Sequence, residues 1–535
     1  MKKEILFFFA VVCIFGAIFS CAKQGSPTGG AEDIDPPKFV RAEPENFSTN
    51  FKSDEIRIYF NEYIKLVDPQ RQIILSPPME TRAIITPMGT PRKYVKIELN
   101  DTLQKNTTYT ISFGKSIVDN NEENPLPFFK YVFSTGSYID SLKISGVVHD
   151  ALQKSPDEFI SVMLYEVDST YSDSLVFTKM PTYVSYSQDS TNAFQIENIK
   201  EGKYKLLALK DKNNNYKFEP STDKIGFFDE TISVPTDSVF HLTLFQEILD
   251  FKAERPKYVA QQHALFGYRG NADSMGIELL SDRPSGFQSR IVRDREKDTL
   301  HYFFKPNIEK DSLLFAVSNQ NYRDTLTLYL RELPKDTLAF ETSPKGGLGF
   351  DENFELLPNL PIAATDTTLI SILNKDSLSV PFAKKMDFRL NKLILNFEKE
   401  EAQTYRVTFL PEAVTDFFGN VNDTLKYSLR TKKLSDYGIL TMNIANIDRF
   451  PVIVQLTDLK GNVVKEVQSE SGNVFNFPNI SPGKYYLRLI YDDNQNGKWD
   501  TGNYLEHRQP EKVIYYPEIL EVRANWDVME TFILK

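Results

Sequence analysis

Cysteine, histidine and tryptophan are scarce: the chain of 535 residues holds 2, 5 and 2 of them respectively. The histidines, at 149, 241, 263, 301 and 507, are too scattered for an H-x-x-x-H ligand pair and are expected as surface or packed side chains. No H-E-x-x-H, G-x-S-x-G, phosphate-cradling loop or G-x-G-x-x-G occurs, so the residues name no catalytic centre and the protein is expected not to be an enzyme. Trp499 and Trp526 are too few to build an aromatic platform elsewhere. Long Lys/Arg runs are also missing, and 62 basic against 73 acidic residues leave −11, a balance that excludes a chain built to neutralise phosphates; nucleic acid is not an expected partner. The apolar run Ile5 to Phe19 is about 15 residues, short of the roughly 20 that a membrane-spanning helix needs.

What is present is foldable and strand-rich. At 41% hydrophobic and 25% charged, the chain can bury substantial cores, and its length suggests three to five domains. The 40 Phe and 26 Tyr recur in short alternating runs, the signature of half-buried strands.

Lys2 and Lys3 precede the apolar run, and Ile18-Phe19-Ser20-Cys21 follows it: the charged, apolar and small-residue parts of an export signal. This ending resembles the lipobox of bacterial lipoproteins, which implies cleavage before Cys21 and acylation of its thiol and new amino group. One cysteine then remains, carrying lipid, which leaves neither a disulfide nor a thiol nucleophile; loss of residues 1–20, with Lys2, Lys3 and Glu4, takes the charge to −12. Ala22 after the cysteine implies, by the lipoprotein sorting pattern, lipid anchoring at an outer membrane. Residues 21–33, with Gly25, Pro27, Gly29 and Gly30, read as a flexible tether. Lipoproteins of Bacteroidota that are exported to the surface carry acidic residues just after the cysteine; here the first are Glu32 and Asp33, so the periplasmic and extracellular faces both stay open.

Beyond the tether the chain repeats itself. Tyr109, Ile111 and Phe113, then Tyr131, Phe133 and Thr135, return at an offset of 296 as Tyr405, Val407 and Phe409, then Tyr427, Leu429 and Thr431. The strand, Asx-rich turn and strand resemble the bacterial Ig-like domain of the S-layer protein SbsA type. A second repeat needs no gap: Phe194, Asn198, Ile199, Gly202, Lys203, Tyr204 and Leu206 reappear at an offset of 281 as Phe475, Asn479, Ile480, Gly483, Lys484, Tyr485 and Leu487. Asn479-Ile480-Ser481-Pro482-Gly483-Lys484-Tyr485 resembles the turn and strand of transthyretin-like, carboxypeptidase-regulatory-like β-sandwiches. The expected organisation is an all-β string: signal 1–20, tether 21–33, Ig-like 34–137, transthyretin-like 138–250, a further β-sandwich 251–344, Ig-like 345–435 and transthyretin-like 436–535. Such a string is expected to keep its ends apart, with an occasional helix in a connection such as Pro381 to Asp387.

Two features could carry chemistry. The loop with Asp211, Asn213, Asn215 and Glu219 is matched by Asp492, Asn494, Asn496 and Asp500, oxygen-bearing side chains at positions 1, 3, 5 and 9, as a weak calcium site would place them. Position 12 is Thr222 or Asn503 rather than Glu, and the alternative is an Asx-turn hairpin that caps its own backbone and takes no cofactor. Secondly, Asp-Ser/Thr followed by Leu, Val or Thr occurs thirteen times. It reads either as a turn before a strand or, by its resemblance to the O-glycosylation motif of exported Bacteroidota proteins, as sugar sites at residues such as Thr102, Thr299, Thr325 and Thr424. The expected protein is an outer-membrane lipoprotein resembling the SbsA-type Ig-like lipoproteins of Bacteroidota. Its β-sandwich surfaces would serve a structural, adhesive or complex-assembly role toward an envelope protein, the alternative being capture of a glycan.

Overall fold

The computed structural model describes residues 33–155, 157–187 and 192–534, so Cys21 and most of the tether lie outside the described residues. The fold is all-β, a series of tandem sandwiches, and the chain divides into two compact units. The first comprises the described residues up to 143 with segments 182–184 and 196–201; the second comprises 144–181, 185–195 and 202–534.

In the first unit one sheet runs Phe39–Glu43, Glu55–Leu66, Arg92–Glu98, Ile84–Thr86, with Ile117–Asp119 added along Glu55–Leu66. The facing sheet is Ile74–Ser76, Thr108–Ser112, Lys130–Ser134. Alternation dictates the core: Ile56, Ile58 and Phe60 point inward with Val95 and Ile97 to meet Tyr109, Ile111, Tyr131 and Phe133. The two tyrosines keep their hydroxyls paired, Tyr131 donating to the Pro44 carbonyl at 2.9 Å and Tyr109 accepting from the Gln104 N–H at 2.8 Å. Segment 196–201 is held here by Asn198, whose Nδ2 donates to the Asp140 carbonyl at 2.9 Å, and by an ion pair between Lys130 and Glu197.

The repeat at offset 281 is topological as well as textual. Tyr183–Tyr186, Ser161–Glu166, Gly202–Lys210 and Lys224–Phe227 form one sheet; Val463–Ser469, Val452–Thr457, Gly483–Tyr491 and Val513–Tyr515 form its counterpart in the same order. The facing sheets are Ala193–Ile199, Leu142–Asp150, Val239–Leu244 and Val474–Ile480, Gly438–Ala445, Asp527–Ile533, each closing on a parallel pair between its last two strands. Asn198 and Asn479 both take the left-handed backbone, at φ 59° and 56°, just before each Gly-Lys-Tyr strand. A Cβ on Gly202 or Gly483 would lie 3.3 or 3.2 Å from the hydroxyl of Tyr204 or Tyr485, so the small residue lets the aromatic fold back over the turn.

Residues 252–329 form a sandwich whose core joins Phe266, Tyr302 and Phe304 to Phe315 and Val317. Phe340–Ser343 pairs with Phe354–Pro358, opening the sheets whose core holds Phe354, Leu393, Leu395, Tyr405, Val407 and Phe409. The helix expected at Pro381 to Asp387 is a strand, Phe382–Asp387, paired antiparallel with Lys392–Phe397. It lies at a sheet edge, where Lys384 and Lys385 reach solvent, and cross-strand hydrogen bonding prevails over any local helical preference.

Candidate functional site: the matched loops and the contact between the repeats

Both matched loops are organised by their first carboxylate. Asp211 accepts backbone N–H groups of Asn214 and Tyr216, each at 2.6 Å, and Asp492 accepts those of Asn496 and Gly497 at 3.0 and 2.8 Å. Positions 3, 5 and 9 do come together. Asn213 and Asn215 donate their Nδ2 groups to Glu219 at 2.7 and 2.9 Å, and Asn494 and Asn496 donate to Asp500 at 2.5 and 2.6 Å. Position 1 does not join them, because its oxygens face the turn backbone. Each loop also leans on an acid that sequence reasoning missed. Asp223 accepts from the Lys212 and Glu219 N–H groups at 3.0 and 2.9 Å, and Glu511 accepts from those of Asp493 and Asp500 at 2.8 and 2.9 Å.

The electrostatics follow from this crowding. Burial pushes the Asp211 carboxyl above its ordinary value, with the Asp223 charge adding to it against the Tyr216 N–H. Burial likewise raises Glu511. A cation at either loop would need the two asparagines to present oxygen where they now present N–H. Among the described residues no group of three or more His, Cys, Asp or Glu is arranged to hold a metal, and no helix is long and apolar enough to cross a membrane.

Inside the second unit, parts of the two copies of the offset-281 repeat pack on one another. The loop after Asp500 drives Tyr504 into the first copy. Its ring is 1% exposed and meets Phe227 edge-on at 5.3 Å, and its N–H donates to Glu247 at 2.6 Å. Thr501 donates to the Gln246 carbonyl at 2.7 Å, and Lys154 donates to the carbonyls of Tyr516 and Pro517, each at 2.7 Å. Gly502 is required by close approach, since a Cβ there would lie 2.6 Å from the Phe245 ring and 2.6 Å from the Arg508 carbonyl oxygen. Burial raises both the Tyr504 hydroxyl and the Glu247 carboxyl, which identifies this contact as desolvated.

The remaining singled-out residues are dispersed. Thr102, Thr325 and Thr424 are exposed, while Thr299 is half-buried at the start of a paired strand. Asp101 and Asp324 each accept the N–H of the following threonine, at 2.9 and 2.8 Å, as in the turn reading, although Asp324 lies within the strand Tyr322–Tyr329. The histidines are less scattered than their spacing suggests. His263 Nε2 lies 2.9 Å from His301 Nδ1, and the outer ring nitrogens meet Asp336 at 2.6 Å and Asp294 at 2.9 Å. Strands His263–Arg269 and Thr299–Lys305 are antiparallel neighbours, and only knowledge of that pairing would have joined two residues 38 positions apart.

A model of the bacterial Ig-like domain matches residues 33–135. No curated protein matches the chain. Similar solved structures include the surface layer protein SbsC, domains 1–6, at 11% identity over 91% of this chain and 67% of that one, TM-score 0.16. A variant of BcpA, the major pilin subunit of Bacillus cereus, is 11% identical over 74% of this chain and 99% of its own, TM-score 0.14. The N-terminal eight Ig domains of the Down syndrome cell adhesion molecule are 10% identical over 91% and 69%, TM-score 0.14.

Proposed function

We propose that this is a non-enzymatic lipoprotein of the bacterial cell envelope. In this reading Cys21 holds it to the outer membrane through lipid, and its sandwiches form a structural, adhesive or complex-assembly scaffold for another envelope protein. The observation that carries the reading is the order of parts. An export signal ending in Ile18-Phe19-Ser20-Cys21 and a Gly-rich tether lead directly into the matched bacterial Ig-like segment at 33–135. The buried contact at Tyr504 adds that the second unit is built to hold two sandwiches in fixed register, as a scaffold needs.

The test is metabolic labelling with an alkyne fatty acid together with affinity recovery in mild detergent. The wild-type chain should take up label and bring down an envelope protein in fixed ratio, and Cys21→Ala should take up none. Label retained by Cys21→Ala would refute the anchor, and recovery of the chain alone would refute the scaffold.

A second reading, capture of a glycan, rests on one surface of the first unit. There Tyr59 and Tyr94 lie with ring centroids 5.7 Å apart and the Arg41 guanidinium 3.9 Å over Tyr59. A glycan array decides it: no sugar retained by wild type, or equal retention by a Tyr59→Ala, Tyr94→Ala chain, removes this reading.

A further inference from the structure

The outward face of the sheet Val474–Ile480, Gly438–Ala445, Asp527–Ile533 is almost free of charge. Register places Thr441 between Asn476 and Met529, Asn443 between Val474 and Thr531, and Ala445 beside Ile533. Ile439, Val474, Met529 and Ile533 are 39%, 61%, 78% and 63% exposed. Asp527, at one corner, is the only ionisable residue among these outward positions.

The first copy of the same sandwich shows that the fold does not require this. Val148 N–H donates to the Asn192 carbonyl as Ile444 N–H donates to that of Asn473, which aligns Lys143, Ser145, Val147 and His149 with Ile439, Thr441, Asn443 and Ala445. Val239 sits beside Ser145 as Met529 sits beside Thr441, so His241 and Thr243 answer to Thr531 and Ile533. Glu197 answers to Pro478 by the offset of 281. Four ionisable positions, Lys143, His149, Glu197 and His241, have thus become Ile, Ala, Pro and Thr. The inward faces of the two copies are alike, with Ile144 and Val148 buried as Leu440 and Ile444 are, so core packing does not explain the exchange. Grouped exposed aliphatics on a chain that is 25% charged mark a contact surface.

We propose that this face joins two copies of the chain about a two-fold axis, the outward surfaces of the two three-stranded sheets stacked on one another. A second copy is the occupant that charge favours. With a net charge of −11 two copies repel over most of their surface, and a two-fold contact sets each patch against itself, so it must lack unpaired like charge. This face meets that condition and offers nothing to a charged partner. The four aliphatic side chains expose roughly 400 Å² per copy, about half of what a standard interface buries per partner. The association is therefore weak in solution, with a Kd on the order of 10–100 µM, and strengthens where tethering raises local concentration.

Sedimentation of the full chain in mild detergent, across concentrations spanning that range, tests this. Wild type should show a reversible monomer–dimer equilibrium, and Met529→Lys or Ile533→Lys should raise Kd at least about tenfold by burying an unpaired ammonium. Val239→Lys, the same change at the matching position of the first copy, should leave Kd unaltered. Circular dichroism melts check that the variants, all at exposed positions, remain folded. A chain that stays monomeric throughout, a dimer indifferent to Met529→Lys, or equal loss in Val239→Lys would each overturn the proposal. A monomer that still recovers an envelope partner would do so while leaving the scaffold reading intact.

Discussion

Replacing Tyr504 by alanine tests whether the two copies of the offset-281 repeat stabilise one another. The ring is 1% exposed and packs edge-on against Phe227, in a pocket that Gly502 keeps open for Phe245. Truncating a buried aromatic costs about 3–5 kcal/mol from lost burial and the cavity left behind. That is a large share of the roughly 5–15 kcal/mol that holds a domain folded. The Tyr504 N–H to Glu247 bond is a backbone contact and survives the substitution, so the loss measures packing. Tyr504→Phe removes only a hydroxyl that hydrogen-bonds Tyr171 and lies 3.5 Å from Asp173, and should cost about 1 kcal/mol. Gly502→Ala approaches from the other side: its Cβ, 2.6 Å from the Phe245 ring, forces overpacking worth about 1–3 kcal/mol. Hydrogen exchange followed by mass spectrometry along a urea series reports each segment separately, which a chain of several sandwiches demands. Tyr504→Ala should lower the midpoint of the strands Gly202–Lys210 and Lys224–Phe227 together with that of Gly483–Tyr491. If protection falls only in the loop carrying Tyr504, or the Phe variant loses as much as the Ala variant, the contact is not a packed interface and the argument fails.

Asp119 accepts the N–H groups of Asn121, Glu122, Glu123 and Asn124 at 2.7–3.2 Å; burial pulls its carboxyl up, but these four donors together hold it below the ordinary value. Its contribution is therefore complete above the unfolded carboxylate's titration range and is lost as pH falls through the lower folded value. Asp119→Ala should cost the first unit about 2–4 kcal/mol at pH 7 and flatten the acid limb of a stability–pH profile; an unchanged acid limb would refute this. For Asp211 the sign reverses: burial raises its folded value, so stability in that loop declines as pH rises through the raised value, and a pH-independent loop would contradict the burial argument. Isothermal titration of the full chain with calcium should give no saturable heat in the range of extracellular modules, about 10⁻⁴ to 10⁻³ M. Saturable binding lost in Asp500→Ala would show instead that Asn494 and Asn496 turn their oxygens to a cation. If the Asp-Ser/Thr motif is glycosylated, mass spectrometry of natively expressed protein should find sugar at exposed Thr102, Thr325 or Thr424 before half-buried Thr299, and the reverse order would argue against modification of the folded chain.

What was legible beforehand was whatever the chain writes locally. Alternation marked Ile56 to Phe60 and Tyr109 to Phe113 as core strands because a sheet face repeats every second residue. The offset of 281 was legible because turn chemistry leaves residue-specific traces: Asn198 and Asn479 take positive φ, as do Asn214 and Gln495, and each copy needs its glycine beneath a tyrosine. Of the loop residues, positions 3, 5 and 9 lie together, as their spacing in one short turn allows. Asp223 and Glu511 were not legible, since they arrive from outside the nine-residue frame. Long-range placement leaves no such trace. Tyr504 is one aromatic in a loop without period, and nothing near it in sequence announces Phe227, 277 positions earlier. His263 and His301 look unrelated until an antiparallel register sets them side by side. The outer face of the last sheet shows how the two kinds of information combine. No single strand there is unusual, and Met529 alone would be an ordinary exposed residue. Only when strand pairing assembles Ile439, Val474, Met529 and Ile533 on one surface, and the repeat supplies Lys143 and Glu197 as the charged version of that surface, does the absence of charge become a physical signal. A duplicated sandwich thus carries its own control: differences between copies on the core face would speak of stability, and differences confined to the outer face speak of what each copy touches.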